Sequence, residues 1–133
     1  MIVVDTNVIA YFLALSDQSL IAENVMKTDP DWAAPLLWRS EFRNVLLRYL
    51  RNNDLSVKDA VEKMDEAERI IGQNEYAVSS SRVIELAFAS GCTAYDCEFV
   101  ALAEQLRVKL ITSDKKLLLA FPKSAISMAQ FTI

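Results

Sequence analysis

Residues 2–13, IVVDTNVIAYFL, hold the reading on which the fold turns. Ile2, Val3 and Val4 are apolar and β-branched, the composition of a buried parallel strand. Val8, Ile9, Tyr11, Phe12 and Leu13 then read as the apolar side of a helix. Asp5 stands at the hinge between the two, at the carboxyl end of the strand, where open α/β sheets place their active sites. It is equally where a helix N-cap belongs, since an Asp side chain accepts hydrogen bonds from the first free backbone N–H groups. Asp5 alone leaves both roles open.

The rest of the chain repeats this alternation. A second helix begins at Ser16 or Asp17 and ends before Pro30, and WAA (32–34) supplies a short strand. A long helix covers 35–54 with Pro35 near its start. The next runs from Ser56 to Ile71, with Asp59 completing a capping-box-like pattern and Gly72 as the stop. EYAV (75–78) reads as a strand, and SSRVIELAFAS (80–90) as a helix ended by Gly91. TAYDCEFVALAEQLR (93–107) is the next helix, VKLIT (108–112) a strand, and SDKKLLLAF (113–121) a short helix ended before Pro122. AISMAQFTI (125–133) supplies a final edge strand. Strands separated by helices predict an α/β fold, a parallel sheet covered by helices.

The 133 residues are expected to form one domain, 1–133, because no linker, repeat or low-complexity segment interrupts them. No stretch approaches the ~18–20 uninterrupted apolar residues of a membrane span, and the chain opens directly on strand-like residues rather than a signal peptide. Cys92 and Cys97 would lie on different sides of one helix, so two reduced thiols in a cytoplasmic protein are expected. The absence of histidine excludes Ser-His-Asp and Cys-His catalysis and any His-containing zinc site. A net charge of −4 argues against nucleic-acid binding by charge alone, but not against a nuclease that recruits cations to clustered carboxylates.

Most of the 18 acidic residues sit where solvated charge is expected, and four do not. Asp5 and Asp114 both end strands, and in a parallel sheet those ends share one edge; for each the competing role is an N-cap, worth about 0.5–2 kcal/mol. Asp96 shares a helix face with Phe99, Val100 and Ala103, roughly opposite Glu98; a capping box with Thr93 explains its place in the first turn but does not require it to face the core. Glu41 is mid-helix at the margin of an apolar stripe, with a rim ion pair to Arg48 or Arg51 as its bland explanation. Four carboxylates converging unpaired would take up protons or bind a cation, and oxygen ligands without histidine favour Mg²⁺ or Mn²⁺.

VVDTNVIAYF, LWRSEFRNVLLRYL, TAYDCEFVALAEQL and KLITSDKKLL resemble, in order and spacing, the conserved segments of PIN-domain ribonucleases, above all the VapC-type toxins of toxin–antitoxin pairs. The resemblance covers nearly the whole chain. It implies a PIN-like fold, a central parallel sheet of about four to five strands with helices on both sides. It implies an acidic Mg²⁺/Mn²⁺ site at Asp5, Glu41, Asp96 and Asp114, the positions already selected, supported through hydrogen bonds by Thr6, Asn7 and Thr112. It further implies a homodimer and an antitoxin whose basic tail reaches into the acidic groove. The apolar residues of the first two helices could form the dimer interface or belong to the core.

The chemistry expected is hydrolysis of phosphodiester bonds in single-stranded or loop RNA by one or two divalent ions. Arg39, Arg43, Arg48 and Arg51 share the Glu41 helix and are candidates for backbone contacts, with a solvated helix face as the competing role. An aspartyl phosphatase would need a second carboxylate where Asn7 stands, and no receiver-like acidic pair is present. The alternative from another class is a non-catalytic binding module whose acidic cleft holds a basic peptide.

Overall fold

Ile2–Val4 form the central strand, β1, of a five-stranded sheet in the computed structural model, which describes residues 1–13 and 16–133. In chain order β1 is followed by α1 (Thr6–Phe12), α2 (Ser19–Thr28), β2 (Trp32–Pro35), α3 (Trp38–Arg51), α4 (Val57–Ile71) and β3 (Glu75–Tyr76). Then come α5 (Ser80–Ser90), α6 (Ala94–Leu106), β4 (Leu110–Ile111), α7 (Lys115–Ala120), β5 (Ala125–Ile126) and α8 (Met128–Phe131). The strand order is β3-β2-β1-β4-β5 and every pairing is parallel, so the α/β, PIN-like expectation holds.

The three inner strands, β1, β2 and β4, are buried on both faces, which is why they read as apolar runs: Ile2, Val3, Val4, Trp32, Ala33, Ala34, Leu110 and Ile111 are all core residues. Right-handed crossovers put α1–α4 on one face and α5–α7 on the other. Accordingly α1 packs on α2 and α3, whereas α6 packs on α5 and against β1 and β2. The chain leaves β1 toward β2 and β3, then returns to the other side of β1 as β4. The crevice at the carboxyl ends of β1 and β4 is therefore the topological switch point, where such folds bind ligands.

Several boundaries differ from the sequence reading. Pro35 ends β2 rather than starting a helix; lacking an N–H, it suits a strand end, and α3 begins only at Trp38. Ser16 closes a turn onto the Gln18 N–H at 2.9 Å instead of capping α2. The last segment keeps strand form only at Ala125–Ile126, because Ser127 caps α8 through the Gln130 N–H. Ser56 does cap α4 through the Asp59 N–H, and Gly72 and Gly91 end their helices at φ 59° and 77°.

Arg39, expected as a nucleic-acid contact, is instead part of the scaffold. Its guanidinium donates to both oxygens of Glu75 at 2.5 and 3.2 Å, pairs with Glu68 at 3.2 Å and lies 5.7 Å from the centre of the Trp38 ring. Glu75 also accepts the indole N–H of the fully buried Trp38 at 2.7 Å, and its carboxyl is held below the ordinary value, chiefly by Arg39. This hub joins α3, α4 and β3. Glu75→Ala leaves the Trp38 donor without its partner and is expected to lower unfolding free energy by about 1–3 kcal/mol, read from urea denaturation with unchanged m-value.

Candidate functional site

The carboxyl ends of β1 and β4 bring Asp5 and Asp114 to one crevice, into which α3 and α6 direct Glu41 and Asp96. The four carboxylates line a single cavity of about 230 Å³ together with Thr6, Asn7, Asn44, Val45 and Arg48. Residues from four separate segments thus converge as the sequence suggested.

The competing N-cap role separates the two strand-end aspartates. Asp114 is a cap: its Oδ1 accepts from the N–H groups of Lys116 at 2.8 Å and Leu117 at 3.4 Å. Asp5 occupies the N-cap position of α1, but its side chain closes no cap bond; the N–H groups of Thr6 and Asn7 only face it. Its Oδ2 accepts instead from Thr112 Oγ1 at 2.7 Å. Because Thr112 Oγ1 also accepts the Asp114 N–H at 3.0 Å, its single proton is committed to Asp5. Thr6 plays the matching part for Glu41, donating to Oε1 at 2.8 Å. Among the described residues these two threonines are the buried polar ones, each a hydroxyl that donates to one carboxylate. Asp96 lies in the first turn of α6, where Thr93 caps the helix through the Asp96 backbone N–H at 3.0 Å.

Burial is the main cause that pushes the Asp5, Glu41 and Asp96 carboxyls above their ordinary values. Mutual repulsion adds to it: Asp96 raises Asp5, Asp5 and Asp96 raise Glu41, and Asp114 raises Asp96. The threonine hydrogen bonds offset part of the rise, and Lys116 offsets part at Asp96. Glu98 belongs to this field as well, since its charge reaches Glu41. Sequence periodicity puts it roughly opposite Asp96, and no local signal marks it.

A donor set of oxygens alone suits a hard divalent cation. Among the described residues no three acidic or thiol side chains stand close enough to form a closed cage. An ion here would be held through few carboxylates and keep several waters, as Mg²⁺ prefers. The Asn7 side chain lines the cavity without a hydrogen bond among the described residues, and Asn7 meets Asp5 through its backbone N–H. Arg48 stands at the cavity edge, but Arg43 lies ~160° around α3 from Glu41, and neither Arg43 nor Arg51 lines it.

The profile of the PIN domain family matches residues 2–121. Ribonuclease VapC3 of Pyrobaculum aerophilum is 30% identical over 124 residues, covering 91% of this chain and 95% of that protein. Among solved structures, PAE2754 from Pyrobaculum aerophilum superposes with a TM-score of 0.78 at 20% identity, covering 98% of this chain and 92% of that one. FitAcB from Neisseria gonorrhoeae gives 0.72 at 17% identity, with coverage of 97% and 99%. A toxin–antitoxin complex from Klebsiella pneumoniae gives 0.68 at 18%, with coverage of 96% and 98%. At these identities the structural likenesses establish a shared fold.

A carboxyl raised by folding makes the ionised native state costly, so its penalty is present in full above the raised value, shrinks as pH falls from there and is gone below the ordinary carboxylate value. Asp5→Asn removes that penalty. Without divalent ions the variant is expected to melt above the wild type at pH 7, with the gap closing on acidification. Saturating Mg²⁺ or Mn²⁺ at pH 7 should raise the wild-type Tm by mass action and raise that of the variant far less, read by scanning fluorimetry against a chelator control.

Proposed function

The chain belongs to the PIN domain family, in its VapC-type branch, and from that premise we propose that it is a metal-dependent endoribonuclease acting as the toxin of a toxin–antitoxin pair. The observation that carries the reading is the set of half-buried carboxylates brought together at the switch crevice, three of them raised by desolvation and by one another. A protein that only needed stability would not keep them there. The ribonuclease name of the Pyrobaculum aerophilum relative supports RNA as the substrate.

Asp5, Asp96 and Asp114, with help from Glu41, would hold Mg²⁺ or Mn²⁺. When bound, the ion supplies an activated water and neutralises charge developing on the phosphoryl oxygens. Thr112 holds one oxygen of the Asp5 carboxylate, and Thr6 one oxygen of Glu41, while both residues line the crevice. Asp114 divides its carboxylate between the α7 cap and the cavity. Single-stranded or loop RNA suits an open crevice better than a stiff duplex.

The partner readings follow from the same surfaces. An acidic cavity is a receptor for the basic tail of an antitoxin, and one fold neighbour is itself solved as a toxin–antitoxin complex. A homodimer is proposed through α5 and the start of α6 rather than through the first two helices, because Val8, Ile9 and Ala10 of α1 are core residues. Ile84, Phe88 and Tyr95 are exposed apolar residues in that region, Phe88 by 92%.

Purified protein is expected to cleave mixed RNAs with Mg²⁺ or Mn²⁺ and not with chelator. Folded Asp96→Asn should lose at least about a hundredfold in rate, and Thr112→Val about ten- to a hundredfold through misorientation of Asp5. A folded, metal-loaded wild type that binds a basic peptide and cuts no RNA would make the chain a binding module. Phe88→Asp should convert a dimer to monomer in sedimentation while leaving the far-UV circular dichroism of the folded chain unchanged, and should remove any concentration dependence of Tm.

A further inference from the structure

A second cavity, of about 460 Å³, opens beside the acidic one between α1 and the C-terminal half of α3. The two share Asn7, Val45 and Arg48 as a common wall, and Tyr11, Tyr49 and Asn52 extend it outward. Its character differs sharply from its neighbour's. No carboxylate is among the described residues that line it, although the chain carries net charge −4. The charge at the boundary is the exposed guanidinium of Arg48, which makes no ion pair or hydrogen bond among the described residues. Tyr11 rises from α1 and reaches Ser113 Oγ with its hydroxyl at 3.4 Å, while half-buried Tyr49 comes from α3. Asn7 and Asn52 add amides able to donate and accept.

We propose that this cavity is a nucleotide subsite for the RNA strand, receiving the residue next to the bond that is cut. Arg48 takes its phosphate, the rings of Tyr11 and Tyr49 flank its base, and the Asn7 and Asn52 amides face the base edge. The proposal rests on the ribonuclease reading of the acidic cavity. Aromatic rings, a free guanidinium and amides are what single strands are bound with, stacking for the base and a cation for the backbone. The alternation along the groove matches the ligand, since the acidic end suits a cation and the Arg48 end an anion. A basic peptide tail entering from the Tyr11 side would meet Arg48 first and be repelled. The cavity also stands on α3, the helix that carries Glu41, so a strand seated there has its next phosphate led toward the carboxylates without a loop having to move.

Two measurements separate this subsite from the activity on which it rests. Metal-dependent cleavage of a random-sequence RNA by the wild type decides the ribonuclease reading. The subsite is decided by fluorescence anisotropy of labelled ten-nucleotide RNAs, oligo(U), oligo(A) and random sequence, on folded Asp96→Asn protein with Mn²⁺. In that background Tyr49→Leu should weaken binding by about fivefold or more, and Tyr49→Phe should restore it. Arg48→Gln should weaken binding and flatten the log Kd–log salt slope by about 0.7, while Arg43→Gln on the opposite face changes neither. With Asp96 restored, Tyr49→Leu should raise KM and spare kcat. Cleavage by the wild type with unchanged binding in Tyr49→Leu and Arg48→Gln overturns the subsite and leaves the ribonuclease standing. Absence of binding to all three RNAs overturns it too, as does a lysine-rich peptide whose binding, unlike that of RNA, depends on Tyr49. Arg48 is exposed, so its variant remains informative if Tyr49→Leu does not fold.

Discussion

The parallel pairing of β1 with β4 is the constraint from which the site follows. Val4 stands opposite Ile111, and the Asp5 N–H continues the ladder onto the Ile111 carbonyl at 3.0 Å. One residue further along, the side chains take over from the backbone. Thr112 reaches across to Asp5 and, through the Asp114 N–H, fixes the turn into α7. A slip of one residue in this register would turn Thr112 to the other face of the sheet and strand a buried carboxylate without its donor. The central strand is short, but everything acidic in the crevice is measured from it.

That arrangement makes the site a local conflict with stability. Asp5, Glu41 and Asp96 are all held where their charged forms are disfavoured, while a few ångströms away β1, β2 and β4 are packed as apolar strands. The threonines lessen the conflict without removing it. Such tension is what a preorganised binding site looks like before its ligand arrives, since groups free to relax would have turned to solvent. Asp114 shows the opposite economy: one carboxylate serves both a helix cap and the cavity wall.

The strand at 2–4, the helix caps at Ser56 and Thr93, the glycine stops and the four carboxylates were legible because each rests on short-range pattern: β-branched runs, capping spacing, or an acid on an apolar helix face. What escaped depends on where distant elements meet. Nothing around Arg39 distinguishes it from Arg48, yet arrival of β3 hands Arg39 to Glu75 and leaves Arg48 facing the cavity. Glu98 enters the electrostatic field only through the tertiary arrangement that sets its charge against Glu41. The end of the chain read as a strand because ISMAQF is apolar enough for either state, and the Ser127 cap decides for helix. Which hydrogen bonds the Asp5 side chain makes was not readable locally; its missing cap bond and its tie to Thr112, 107 residues away, are tertiary facts.

The Arg39–Glu75–Glu68 hub has a consequence for how this chain can diverge. It locks one side of α3 into the scaffold, with Trp38, Arg39 and Phe42 committed to packing and pairing, whereas Glu41, Asn44, Arg48 and Asn52 occupy the side turned to the crevice. The helix is divided lengthwise into a strip that holds and a strip that touches. Mutations along the second strip change what is met in the groove at little cost to the first. Descendants of this sequence can therefore alter their preferences by drifting at positions 44, 48 and 52 while the architecture that aims Glu41 stays as inherited.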